Sequence, residues 1–337
     1  MRPSFYPRLI NPPLGDPGVY IPFAFEKRAI LFDAGDLSPL SNRDILHTDA
    51  VFISHTHMDH FSGFDRFLRI CLGREKILHV FGPEHFLQHL EGKLSAYHWN
   101  LVENYENNFI IRAAEICAGH IRFREYACKN AFRPVSPDIV NVFDGCIYRE
   151  PSFRVCAALL DHGIPCLAFS LQENFHISII KEKLAERKLA PGPWLRDFKH
   201  ALHEKQPRDS LFTVPDANHP RTFSLGKLSD EIARISPGQK ITYITDALFS
   251  PENRKKILAL AENSDYLFIE AAFLDSERES ASQKYHLTAR QAGLLAARAA
   301  VRHFTVFHFS PRYSAMADLP EKEARAAYAG EIRGGET

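Results

Sequence analysis

Ala50-Val51-Phe52-Ile53-Ser54-His55-Thr56-His57-Met58-Asp59-His60 is the stretch whose reading decides the fold. Its first four residues are apolar and short enough to predict a buried strand. The chain leaves that strand directly into three imidazoles and a carboxylate within six residues. Nitrogen and carboxylate donors at this density suit a borderline cation such as zinc. Alternate residues His55 and His57 reach the same side as the chain leaves the strand. Asp59 and His60 open the following helix and face a second position, so one short loop can serve two metal ions. Without a cation, four such side chains packed after an apolar strand would be poorly accommodated, because buried polar groups need partners.

Outward from this loop, the first half of the chain reads as strand-rich, with further apolar runs at Ile77 to Phe81, Phe109 to Ile116, Phe153 to Leu160 and Pro165 to Leu171. Phe61, Phe64, Phe67, Leu68, Cys71 and Leu72 fall at helical spacing and predict a helix over Phe61 to Leu72. Between 172 and 237 prolines, charges and short apolar runs alternate without a period. Strands return at Ile241 to Thr245, Tyr266 to Glu270 and Phe304 to Phe309. A helix is expected over Leu287 to His303, opened by Thr288 and Gln291 at the spacing of a capping box.

The 337 residues, 45% hydrophobic and 24% charged, are those of a globular protein with a sizeable core. The expectation is one domain over residues 1–337, with 172–237 as an inserted segment. Lys and Arg together number 41, as do Asp and Glu. No global field attracts nucleic acid, so a polyanion would have to be held by a local basic patch. The N-terminal stretch has no signal-peptide core, and no run of about 18 apolar residues suggests a membrane span. Six scattered cysteines without a C-x-x-C pair read as thiols of a reducing compartment. A cytoplasmic enzyme is the expectation.

The arrangement H-x-H-x-D-H resembles the signature of the metallo-β-lactamase superfamily, and the resemblance implies an α/β fold, an αββα sandwich. It also implies ligands at later strand ends, and His162, Asp246 and His308 stand there in the expected order. Later motifs resemble the ribonuclease Z branch. His286-Leu287-Thr288-Ala289-Arg290-Gln291-Ala292 is similar to its H-[ST]-T-x-x-Q-A segment. His308-Phe309-Ser310-Pro311-Arg312-Tyr313 is similar to its H-[FI]-S-x-R-Y ending. Glu270-Ala271-Ala272-Phe273 is similar to H-E-A-T-F, with Ile269 in place of the histidine. Ala190-Pro191-Gly192-Pro193-Trp194 resembles the Gly-Pro motif of the arm with which that branch grips tRNA.

The resemblance implies that His55, His57 and His162 hold one zinc, that Asp59, His60 and His308 hold the second, and that Asp246 bridges both. Manganese or iron suits the same donors. Asp59 would also take a proton from the attacking water, His286 would serve the leaving 3′ oxygen, and Glu270 would orient His286. The branch implies a precursor tRNA substrate and commonly a homodimer. Substrate contacts are expected from Arg312 and from Lys188, Arg196 and Lys199 in an arm around 181–208, where eight basic residues stand against four acidic ones. Two other functions fit the same residues. One is a phosphodiesterase of this branch acting on a small or cyclic nucleotide; the other is a non-catalytic RNA-binding module.

Overall fold

The computed structural model describes residues 3–24, 26–135, 137–215 and 219–334. Eight strands in sequential order form the first sheet: β1 (Arg8–Leu9), β2 (Val19–Pro22), β3 (Ala29–Phe32), β4 (Thr48–Phe52), β5 (Lys76–Pro83), β6 (Phe109–Cys117), β7 (His120–Ala127) and β8 (Ile139–Val142). The run β3 to β6 is parallel and its flanks are antiparallel. A second sheet contains β9 (Cys146–Arg149), β10 (Phe153–Asp161) and β11 (Pro165–Glu173). Four short strands come next in the chain: β12 (His176–Ile179), β13 (Leu211–Val214), β14 (Arg221–Ser224) and β15 (Ala233–Ser236). The second sheet is completed by β16 (Lys240–Ile244), β17 (Tyr266–Glu270) and β18 (His303–Phe307), in the spatial order β18-β17-β16-β11-β10-β9.

The chain divides into two compact units. The larger comprises Phe5–Ile147, Cys156–Ser170 and Lys240–Thr337. In it, the two sheets meet through rings from facing strands. Phe32 of β3 stacks on Phe169 of β11 at 5.4 Å between centroids and lies 5.7 Å from Tyr243 of β16. Phe52 of β4 reaches Phe169 at 5.7 Å. All four rings are fully buried, and each large apolar side chain taken out of water contributes roughly 1.5–3 kcal/mol. The outer face of the first sheet is covered by helices Phe64–Cys71 and Phe86–Ser95. That of the second is covered by Pro251–Ala261, Ala289–Arg298 and Asp318–Gly334. The layers therefore run helix, sheet, sheet, helix, which is the expected αββα sandwich.

Local chemistry accounts for the element ends. Thr288 caps the helix Ala289–Arg298 with the reciprocal Thr288–Gln291 bonds of a capping box. The helix expected over Phe61 to Leu72 is instead two pieces, Met58–Phe61 and Phe64–Cys71. The break falls at Gly63, which lies against Gly35 so closely that an added Cβ would stand 2.0 Å from the Gly35 carbonyl oxygen. Helical periodicity carries no information about such a backbone contact.

The smaller unit, Met1–Ser4, Tyr148–Val155 and Leu171–Gln239, holds elements that the sequence between 172 and 237 did not announce. Strands β12 and β15 pair antiparallel, as do β13 and β14. Helices Lys181–Glu186, Trp194–His203 and Leu225–Ile232 bury Leu184, Trp194, Phe198, Val214, Leu228 and Ile232 in a core of their own. Among the described residues no helix is long and apolar enough to cross a membrane. All six cysteines are free.

Candidate metal centre

The carboxyl ends of the strands supply the site, the usual location in sheets with parallel runs. After β4 the chain crosses Ile53 and Ser54, buries His55, and uses His57 as the N-cap of the one-turn helix that carries Asp59 and His60. Gly35 admits this loop because a Cβ there would lie 2.2 Å from the Asp59 carbonyl oxygen. His162 follows β10, Asp246 lies two residues past β16, Glu270 ends β17, and His308 follows β18. His308 is left-handed, with φ of 60°, which turns its ring sharply out of the strand direction.

Three groups of donors converge, each with ligand atoms within 4.8 Å of one another: His55, His57, His162 and Asp246; Asp59, His60 and His308; and Asp246, Glu270, His286 and His308. Asp246 is the hinge of the arrangement. Its Oδ2 lies 3.4 Å from His162 Nε2, 3.5 Å from His60 Nε2 and 3.6 Å from His55 Nε2. Its Oδ1 lies 2.9 Å from His308 Nδ1. His308 Nε2 is 3.2 Å from Asp59 Oδ2. The side chains singled out from sequence as ligands are thus brought together, along with Glu270 and His286. Arg312 is not among them. Its guanidinium pairs with Glu277 and lies 5.0 Å above the Phe273 ring. Lys188 and Arg196 are exposed on the smaller unit, and Lys199 is half-buried there, with burial lowering its pKa.

The donors fit a cation. His60 Nε2 is buried without a hydrogen-bond partner and faces Asp246 Oδ2 at 3.5 Å. Unpaired buried nitrogens are costly unless something else satisfies them. On His60, His162 and His55 the opposite ring nitrogen is held from outside the cluster, as metal-bound imidazoles generally require. His60 Nδ1 is 2.8 Å from Asp33, His162 Nδ1 donates to the Tyr285 carbonyl at 2.8 Å, and His55 Nδ1 is 3.1 Å from Ser54 Oγ. Burial works against charge on His60, but the Asp246 and Asp33 carboxylates override it and raise its pKa to about 10. His308 is raised by the same contest, in which burial opposes Asp246 and Asp59. His55, buried beside other imidazoles, is pushed down to about 2. Asp246 sits well below the carboxylate range, because His308 and His60 outweigh its burial. Protons on His60 and His308 therefore balance the carboxylates when no cation does, and metal uptake has to displace them.

Asp33 is the residue that sequence reasoning missed. It follows the apolar run Ala29 to Phe32 and is fully buried. Its carboxylate accepts from the Ser54 amide at 2.6 Å, the Ser54 hydroxyl at 2.7 Å and the Tyr243 hydroxyl at 2.7 Å, besides its contact with His60. The available signal was an acid placed directly after a fully apolar strand, the same pattern that marks His55. Asp33→Asn keeps the shape and removes the charge behind His60. It is expected to weaken metal binding by about 10- to 100-fold, read by competition with a chromophoric chelator. Unchanged affinity would remove Asp33 from the site.

Residues 28–119 match the beta-lactamase superfamily domain family. Over 288 residues the chain is 29% identical to ribonuclease Z of Deinococcus radiodurans, an alignment covering 84% of this chain and 83% of the relative. Among solved structures, human tRNase Z, short form, superposes with a TM-score of 0.52 at 16% identity, covering 92% of both chains. The metallo-beta-lactamase fold protein YhfI from Bacillus subtilis gives a TM-score of 0.53 at 14% identity, covering 94% of this chain and 86% of its own. The chain is a metallo-β-lactamase-fold protein. Within that class its likeness in sequence, over most of its length, is to ribonuclease Z, whose motifs the segments at Glu270, His286 and His308 resemble.

Proposed function

We propose that the chain is a metal-dependent endoribonuclease of the ribonuclease Z type, which removes the 3′ extension of precursor tRNA. The observation that carries this reading is the pairing of His286 with Glu270 beside the seven convergent donors. His286 Nδ1 lies 2.8 Å from Glu270 Oε2, at the edge of the cluster and outside the two trios of ligands. A phosphodiesterase needs such a group for the leaving oxygen.

In this reading His55, His57 and His162 would hold one zinc, Asp59, His60 and His308 would hold another, and Asp246, close to both groups, would serve each. Zinc is the assignment from the nitrogen-rich donors, and manganese or iron suits the same set. Bound metal ions supply Lewis acidity and an activated water for attack on phosphorus. The protein's own groups do the rest. Asp59, whose side chain is 44% exposed, would accept the proton of the attacking water. Glu270 accepts the Nδ1 proton of His286 in a hydrogen bond and so favours the doubly protonated imidazolium. The Nε2 proton of that imidazolium is then the one given to the departing 3′ oxygen, which leaves His286 neutral and still protonated at Nδ1. Glu270 Oε1 meanwhile accepts from the Ala247 and Leu287 amides, at 2.7 and 3.2 Å, and is held in place.

The arm around 181–208 belongs to the same proposal. Helices Lys181–Glu186 and Trp194–His203 flank the Gly-Pro turn, and Lys188 and Arg196 are exposed on this segment. Its phosphate contacts would position RNA without reading its sequence. One observation favours the smaller-substrate reading. Arg187 pairs with Glu231, Arg208 with Asp230 and Lys183 with Glu186, so part of the local positive charge is already compensated.

Purified protein incubated with a 3′-extended tRNA and, separately, with bis(p-nitrophenyl) phosphate decides between them. The expected result is a single cut in the RNA leaving a 3′-hydroxyl. Turnover of the small ester alone would replace the tRNA assignment with the smaller-substrate one.

A further inference from the structure

Tyr285 stands where glycine would be cheapest. It closes the short helix Arg278–Gln283 in the left-handed region, with φ of 59°, and its amide donates to the Ser282 carbonyl while that of His286 donates to Ala281. Helices that end this way usually do so on glycine, because a side chain is strained there. A bulky residue in that conformation marks a position held by its surroundings, and such positions cluster at functional sites. The backbone at this position orients a ligand, since the Tyr285 carbonyl accepts the His162 Nδ1 proton at 2.8 Å. Glycine would supply the same carbonyl with less strain, so the ring itself needs a reason.

The ring lies at the rim of the cluster. It is 41% exposed, and its centroid is 6.4 Å from that of His162 in an edge-on arrangement. His162 in turn is 5.0 Å from His286. One side of the ring rests on Gly163, where a Cβ would meet it at 3.1 Å. Gly163 is itself left-handed, with φ of 74°. The two left-handed residues thus seat an aromatic ring within one nucleotide's reach of the site where the scissile phosphate must lie. Lys284, the preceding residue, makes no ion pair among the described residues and adds positive charge at the same turn.

We infer that Tyr285 is a stacking platform for the base of a nucleotide flanking the scissile phosphate. The inference rests on the endoribonuclease reading and adds a substrate contact to it. Stacking tolerates any base, since every base presents a π-face.

The test is a cycle on the full chain with zinc bound. Tyr285→Leu, Tyr285→Phe and the unaltered protein are each assayed on a 3′-extended tRNA. They are also assayed on versions carrying an abasic nucleotide on either side of the cleavage point. On intact RNA, Tyr285→Leu should lose about 10-fold, and up to about 100-fold, in kcat/KM. The unaltered protein should lose a similar factor on one of the abasic substrates. Tyr285→Leu should lose nothing further on that substrate, and Tyr285→Phe should behave as the unaltered protein throughout. Zinc content should remain the same in all three.

If the losses from Tyr285→Leu and from the abasic site multiply, the ring does not stack and the inference falls. It also falls if zinc content drops with Tyr285→Leu, which would place the effect at His162. Failure of the unaltered protein to cut any RNA removes the endoribonuclease reading and this inference with it, a result distinct from the others.

Discussion

Asp246→Ala is expected to abolish phosphodiester hydrolysis and to reduce bound metal from two ions to one or fewer per chain. Asp246 is the carboxylate whose two oxygens face both trios of proposed ligands, with Oδ2 3.4–3.6 Å from His162, His60 and His55 and Oδ1 2.9 Å from His308. It is almost wholly buried, so water cannot take its place without disturbing the packing around it. Charge stabilisation by a metal centre is worth several kcal/mol of barrier, and each 1.36 kcal/mol is a factor of ten. A loss on the order of 10⁴-fold or more follows. Elemental analysis and initial rates on the same preparation check the two halves of the expectation. An Asp246→Ala protein with two ions and an undiminished rate would refute the site. Asp246→Asn, which keeps the shape but not the charge, should fail nearly as badly.

The raised pKa values of His60 and His308 add a pH dependence to this result. Both imidazoles hold protons in the metal-free protein, His60 up to a pKa of about 10. Metal must displace those protons, so affinity falls as pH is lowered and binding releases protons to the buffer.

The parts of this site that were legible in the sequence are those in which neighbouring residues act together. His55, His57, Asp59 and His60 fall in one loop after an apolar strand, and their chemistry is readable without a structure. His162, Asp246 and His308 are lone residues at strand ends, more than 60 positions apart. Periodicity shows only that a strand precedes each of them, and their joint role came from the resemblance of their motifs. Asp33 left only the trace of an acid directly after an apolar strand, and the Tyr285 carbonyl left none, because each acts on the cluster through the far nitrogen of a histidine. That is a contact between strand ends or turns, which no local pattern encodes. The same holds for the helix broken at Gly63, where the cause is the opposing Gly35 backbone. The elements between 172 and 237 did leave a helical spacing, Trp194, Phe198 and Ala201 in one helix and Leu225, Leu228 and Ile232 in another, but each helix is at most ten residues long and the prolines and charges between them masked it.

His286→Ala is the second substitution of large expected effect, and it separates chemistry from metal binding. His286 lies 3.9 Å from Asp246 and 2.8 Å from Glu270, but outside the two trios of proposed ligands. The ions should therefore remain bound while turnover falls by about 10²- to 10⁴-fold, the usual range for a lost general acid. KM should change little, because the leaving oxygen bears charge chiefly in the transition state. Burial alone would lower the His286 pKa. The Glu270 carboxylate, with Asp246 beyond it, reverses this and raises it above the ordinary histidine value. The acid form thus persists to higher pH than a free imidazole would allow, and kcat should decline only as pH rises past that raised value. Glu270→Gln removes the charge that holds the proton. The alkaline limb of the kcat profile should then move to lower pH, with metal content unchanged. A limb that stays in place would mean that another group donates the proton, and a loss of metal in His286→Ala would make His286 a ligand instead.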